Sequence, residues 1–138
     1  ESYAMADAAQ VWGRADIFVV LAPLTPETRH MINRDTLAQM KPSAVVVNVA
    51  RGPLVHTDDL AEALREGTIA GAALDVTDPE PLPDDHPLWD IETCMITPHT
   101  AKTYTITQER TGRLVVDNAA AFEAGERMPN EVDLEAGY

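Results

Sequence analysis

Four short apolar runs punctuate the chain: Ile17-Phe18-Val19-Val20-Leu21, Ala44-Val45-Val46-Val47-Asn48-Val49, Ile69 to Val76, and Cys94-Met95-Ile96-Thr97. The segments between them carry helical spacing and helix-start signals, and that alternation restricts the fold more than any other feature. Strands separated by helices close most readily into a parallel sheet with crossover helices, which makes the fold class α/β. Near-continuous β-branched runs are typical of strands covered on both faces, so Ile17 to Leu21 is expected as a central strand.

The helical segments are brief until the end of the chain. Asp7 to about Gly13 places Ala8, Val11 and Trp12 at helical spacing. Thr25-Pro26-Glu27-Thr28 has a cap residue followed by proline, a helix-start signal, and Asn33 can open another short helix ending near Met40. Thr57, with Asp58 and Asp59 in the first turn, is expected to cap a helix running through Leu60, Ala63 and Leu64 to a stop at Gly67. Within the third strand, Gly71-Ala72-Ala73 leaves room for close approach by a helix or ligand. Asp78 to Pro87 holds four prolines and four acids and reads as a stiff loop. Ile106, Leu114, Val115, Asn118 and Phe122 support one long helix from about Tyr104 to Ala124, closed by Gly125.

Composition narrows the partners. At 138 residues the chain has one domain's length, and 45% hydrophobic residues suffice for a packed core. Ten Lys+Arg against 23 Asp+Glu leave a formal charge of −13, with lysine only at positions 41 and 102. Such a surface repels polyphosphates, so neither nucleic acid nor an anionic membrane is an expected partner. Cys94 is the single cysteine, which leaves no intrachain disulfide and no cysteine-rich metal site and fits a reducing compartment. No apolar run approaches the roughly 20 residues of a membrane helix, and Glu1 to Met5 lacks a signal-peptide pattern. The expectation is a soluble, cytoplasmic protein without a metal.

In open α/β sheets ligands bind beyond the carboxyl ends of the strands. Four segments lie there: Ala22-Pro23-Leu24-Thr25, Asn48-Val49-Ala50-Arg51-Gly52, Asp75 to Pro81, and Thr97-Pro98-His99-Thr100-Ala101. Arg51 can grip a planar carboxylate through two parallel N–H bonds, although a solvated arginine in a turn accounts for it more simply. His99 can donate or accept a proton near neutral pH, and taken alone is read more simply as a packing or surface residue. The same plain reading holds for His30, His56 and His86, none of which ends an expected strand. Glu80, between two prolines, can be held beside an imidazole, favouring the protonated ring and fixing its tautomer, or it is one more acid in an acidic loop. Asp75 either accepts a hydrogen bond from a ligand amide or caps the next turn.

Local strings add to this spacing. Leu21-Ala22-Pro23-Leu24-Thr25-Pro26-Glu27-Thr28, Asn48-Val49-Ala50-Arg51-Gly52, Ala73-Leu74-Asp75-Val76 with Pro79-Glu80-Pro81, and Thr97-Pro98-His99 occur in one order, and together they resemble the NAD-dependent D-2-hydroxyacid dehydrogenase family over about residues 15 to 130. The resemblance implies the second half of a Rossmann-type doubly wound parallel sheet plus a long carboxyl-terminal helix. It implies a partial NAD-binding domain over residues 1–102, and over 103–138 a helix and tail that would complete a substrate domain. Arg51 matches the arginine that binds the substrate carboxylate, Glu80 the acid paired with the histidine, and His99 the proton donor and acceptor. Asp75 matches the aspartate that holds the nicotinamide carboxamide. Ala22, Pro23, Val49, Ala50, Thr100 and Ala101 match positions lining the cofactor, with Arg51 and His99 also beside it. The implied cofactor is NAD, or NADP, and the implied substrate a small 2-oxo or 2-hydroxy acid of the glyoxylate, hydroxypyruvate or phosphoglycerate kind. Glutamine stands at the Glu80 position in the family's formate dehydrogenases, which disfavours that branch.

Two positions depart from the pattern. Lys102 stands where small residues are usual, and His56 replaces a frequent acid after the Arg-Gly pair. The seven glycines include no two separated by a single residue, so no G-x-G-x-x-G turn is present. The isolated chain is therefore expected neither to bind NAD tightly nor to turn over. Uncovered apolar faces make self-association, such as a homodimer, the expected state. An alternative from another class is a non-catalytic NAD-sensing or interaction module of co-repressor type on the same fold. The lysine-poor acidic surface further suggests a high-salt cytoplasm, where salt screens self-repulsion.

Overall fold

The computed structural model describes residues 1–4, 7–102 and 104–135. Thr103, where the expected domain boundary falls, and positions 136–138 at the end of the expected tail lie outside the described residues. The chain divides into two compact units, Glu1–His99 and Thr100–Tyr138.

The first unit is built on four parallel strands: β1 (Ile17–Val20), β2 (Val45–Asn48), β3 (Gly71–Leu74) and β4 (Cys94–Ile96). Their order across the sheet is their order along the chain. The register sets Val20 beside Asn48, Asn48 beside Leu74 and Leu74 beside Ile96, so all four carboxyl ends finish along one edge. This is an α/β, Rossmann-like arrangement.

Alternation along the strands separates two faces. Val20, Val46, Ala72 and Leu74 are buried against α2 (Arg34–Leu37) and α3 (Thr57–Arg65), whose Leu37, Leu60, Ala61, Ala63 and Leu64 complete the core. On the opposite face Ile17, Val19 and Met95 are more than half exposed. Among the described residues β1 stands at the edge of the sheet and is covered on one face, where its apolar run suggested a central strand.

The short helices stop where their caps dictate. α1 spans only Ala9–Trp12, inside the Asp7–Gly13 window. Thr25 to Thr28 opens no helix, because the threonines bond locally: Thr28 Oγ1 donates to the Pro23 carbonyl at 2.7 Å, and the Thr25 amide donates to Thr28 Oγ1 at 2.8 Å. α2 has a reciprocal cap, with the Asn33 side chain accepting from the Asp35 and Thr36 amides while Thr36 Oγ1 accepts from the Asn33 amide. α3 is capped by His56, whose Nδ1 accepts from the Asp59 amide at 3.4 Å, and not by Thr57. Asp58 and Asp59 lie near its positive end and Arg65 near its negative end, as the helix dipole favours. The Arg34 guanidinium pairs with Glu62, tying α2 to α3.

Leu60 is wholly buried at the centre of this packing. Leu60→Ala removes three carbons and leaves a cavity, so a loss of about 3 kcal/mol is expected, read as a shift in urea midpoint at constant m-value. A loss under about 1 kcal/mol would show that α3 does not hold the sheet.

The second unit contains α4 (Tyr104–Ala124), with the bounds expected from its spacing. It ends at Gly125, whose φ of +71° is the left-handed conformation that terminates helices. None of its residues is buried. Among the described residues no helix is long and apolar enough to cross a membrane.

Candidate active site

Each strand end hands its chain to a turn that is locked from within. Asn48, the last residue of β2, is completely buried, and its amide group holds the next turn at two points. Its Oδ1 accepts from the Ala50 amide at 3.1 Å and its Nδ2 donates to the Arg51 carbonyl at 2.9 Å. A buried asparagine ending a valine strand needs such partners, and that requirement was the available signal for its role. Arg51 itself is exposed, and its Nη1 donates to the Ala50 carbonyl at 2.6 Å.

β3 ends in Asp75, which is buried, and Thr97 Oγ1 donates to its Oδ1 at 2.5 Å. The His99 amide in turn donates to the Asp75 carbonyl at 2.9 Å and to the Thr97 carbonyl at 3.0 Å. The exits of β3 and β4 are thereby joined directly. Glu80 lies on the loop after β3, and its Oε1 is 2.7 Å from His99 Nδ1.

His99 has a φ of +54°, in the left-handed region that non-glycine residues avoid. Such a conformation costs on the order of 1 kcal/mol or more. The Glu80–His99 pair is 44% and 50% exposed, so its contribution to stability is under about 1 kcal/mol. It does not by itself offset the strain. The two hydrogen bonds from the His99 amide hold the strained backbone, and the carboxylate sets the ring: with the Nδ1 proton toward Glu80, Nε2 faces away from it.

Asp75, Glu80 and His99 line one cleft of about 490 Å³ together with Leu82, Trp89 and Ile96. The Trp89 indole N–H donates to the Pro83 carbonyl at 2.8 Å, which fixes the ring at the rim. Sequence reasoning had not singled out Leu82 as part of a site. Among the described residues, the charged ones lining the cleft are Asp75, Glu80 and Asp84, with no lysine or arginine and without Arg51. Cys94 contributes no nucleophile, since burial pushes its thiol up to about 11 and keeps it neutral.

Ala22 and Pro23 follow β1, and Val49 and Ala50 follow β2, on the same edge of the sheet. Thr100 and Ala101 open the second unit and are exposed. A buried carboxylate at the end of β3 suits a carboxamide, from whose N–H groups Asp75 can accept. A pyrophosphate has no matching glycine-rich turn in this sequence. Among the described residues no cluster of three or more histidine, cysteine or acidic side chains can hold a metal ion.

Residues 1–101 match the family model described as D-isomer specific 2-hydroxyacid dehydrogenase, NAD binding domain. The chain is 59% identical over its full length to a protein from the proB 3' region of Corynebacterium melassecola, covering 45% of that protein. It is 43% identical over 88% of its length to human glyoxylate reductase/hydroxypyruvate reductase, covering 37% of it. A crystal structure of a D-isomer specific 2-hydroxyacid dehydrogenase from Xanthobacter autotrophicus Py2, in complex with NADPH and MES, superposes with a TM-score of 0.90. Identity there is 40%, over 97% of this chain and 55% of that one. The chain thus spans less than half the length of these two curated relatives.

Proposed function

Since the chain belongs to the D-isomer specific 2-hydroxyacid dehydrogenase family, its residues 1–101 matching the NAD-binding domain, we propose that the complete protein is an oxidoreductase interconverting small 2-oxo and 2-hydroxy acids with NAD(H) or NADP(H). The observation that carries this reading is the 2.7 Å contact between Glu80 and a backbone-strained His99 at the carboxyl edge of a parallel sheet.

On this reading His99 gives a proton from Nε2 to the carbonyl oxygen of the 2-oxo acid and takes it back in the reverse direction. Glu80 keeps Nδ1 protonated and the ring in place. Arg51 binds the substrate carboxylate through two N–H groups, for which its guanidinium leaves the Ala50 carbonyl. Asp75 would hold the carboxamide of the cofactor, with Ala22, Pro23, Val49, Ala50, Thr100 and Ala101 as the proposed lining, and when bound the nicotinamide would supply or accept the hydride. The second unit, from Thr100, would contribute α4 to a substrate domain.

Because the charged residues lining the cleft are acids and the Arg51 guanidinium is taken up by the substrate carboxylate, a substrate with an uncharged remainder is favoured over a phosphorylated one. Glyoxylate and hydroxypyruvate fit that description. The test is oxidation of NADH and NADPH by the complete protein with each 2-oxo acid in turn. Glyoxylate or hydroxypyruvate should exceed phosphohydroxypyruvate in kcat/KM by roughly tenfold or more. Failure of every 2-oxo acid with both cofactors would end the proposal. The isolated chain, lacking a glycine-rich phosphate turn, should show no turnover.

A further inference from the structure

Resting on the dehydrogenase reading above, we propose that Thr57 is a positioning residue for the reaction, acting through the backbone of Asp78 on the Glu80–His99 pair. Thr57 is the first residue of α3, the place where a threonine ordinarily serves the helix. Here His56 accepts from the Asp59 amide in its stead, and the Thr57 hydroxyl is turned outward from its own helix. It donates to the carbonyl of Asp78 at 2.6 Å, across 21 residues of sequence.

The loop reached by this bond has little freedom elsewhere. Gly52, beside Arg51, lies so close beneath it that an added Cβ would sit 1.8 Å from the Thr77 carbonyl oxygen and 2.9 Å from the Asp78 nitrogen. Thr77 Oγ1 donates to the Pro79 carbonyl at 2.8 Å, bracing the loop from inside. The Asp78 carboxylate lies 3.7 Å from Arg29 Nη2 and 3.8 Å from His30 Nε2, both on the loop after β1. Three chain segments therefore converge on Asp78, two residues before Glu80. Pro79 and Pro81 fix φ on either side of Glu80, so displacement of Asp78 is passed to the carboxylate and not absorbed.

Of these restraints, the Thr57 hydroxyl offers the cleanest probe. It touches none of Arg51, Glu80 or His99, and it is a directed bond whose loss changes one atom's chemistry at nearly constant volume. Thr57→Val removes the donor and keeps the shape; Thr57→Ser keeps the donor and loses a methyl group.

The experiment measures kcat and KM in the complete protein for Thr57→Val, Thr57→Ser, Glu80→Gln and the Thr57→Val/Glu80→Gln double variant. Thr57→Val should lower kcat by roughly fivefold to tenfold with KM for the 2-oxo acid within about twofold, and Thr57→Ser should recover kcat to within about twofold. Because Thr57 acts through Glu80, Thr57→Val should cause no further loss once Glu80 is glutamine. Unchanged kcat in Thr57→Val, failure of serine to restore it, or multiplicative losses in the double variant would each overturn the proposal. Those results leave the dehydrogenase reading standing, since that reading is judged on wild-type turnover.

Discussion

Replacing His99 with alanine in the complete protein is expected to lower kcat for reduction of a 2-oxo acid by about a thousandfold, while the affinity for NADH in calorimetry should change by less than about twofold. The size follows from the role. A positioned general acid contributes roughly a hundredfold to ten-thousandfold, and the Glu80 contact at 2.7 Å marks His99 as a positioned one. Stability should move the other way. With φ at +54° the histidine is held against its own preference, so His99→Gly, which also lacks the ring, relieves strain worth on the order of 1 kcal/mol. An inactive variant with a higher melting temperature is thus the expected pairing for His99→Gly. Turnover by His99→Ala within tenfold of wild type would remove the histidine from the chemistry.

The second large effect belongs to a residue with no side chain. Gly52→Ala places a methyl group 1.8 Å from the Thr77 carbonyl oxygen and 2.3 Å from its carbon, both backbone atoms that no rotamer change can move aside. The turn bearing Arg51 and the loop bearing Glu80 must separate, and overpacking of this kind costs about 3 kcal/mol. A useful contrast is Gly67, which has nothing within 4 Å of an added Cβ but a φ of +68°. Gly67→Ala should cost only about 1 kcal/mol, from backbone preference alone. Gly52→Ala should also lower kcat by at least about tenfold, because two proposed functional residues are moved apart. Equal denaturation midpoints for the two alanine variants would show that the contact at Gly52 is not as tight as described.

Much of the architecture was legible because it rests on local rules. The strand runs, the Asn33 start of α2 and the span of α4 follow from periodicity and capping, and the parallel order follows from their alternation. The convergence of Asp75, Glu80 and His99 was legible for a related reason: parallel strands bring their carboxyl ends to one edge whatever the details of packing. The exceptions have specific causes. The run Ile17 to Leu21 reads as central because its composition reports what it prefers to touch, whereas its place at the sheet edge depends on which partners are present. Thr57 and His56 are adjacent residues that can each accept an amide bond, and only the position of the Asp78 carbonyl decides which is free to leave the helix. Asn48 was visible as a strand-end residue, but its double bond to the Arg51 turn depends on the turn's path. Trp89 reaches the cleft through a short helical turn, Pro87–Asp90, that begins where the expected stiff loop ends.

The strand order carries one consequence for how such a sheet is made. Ile17 pairs with Val45, Val45 with Gly71, and Ala72 with Cys94, so each strand's partner is the one synthesised just before it. No strand waits for a distant segment, and every loop to be closed is of similar, moderate length. Chain-closure entropy is then spent in three comparable instalments, each answered at once by a new ladder of hydrogen bonds. These four strands can join the sheet in the order in which they leave the ribosome.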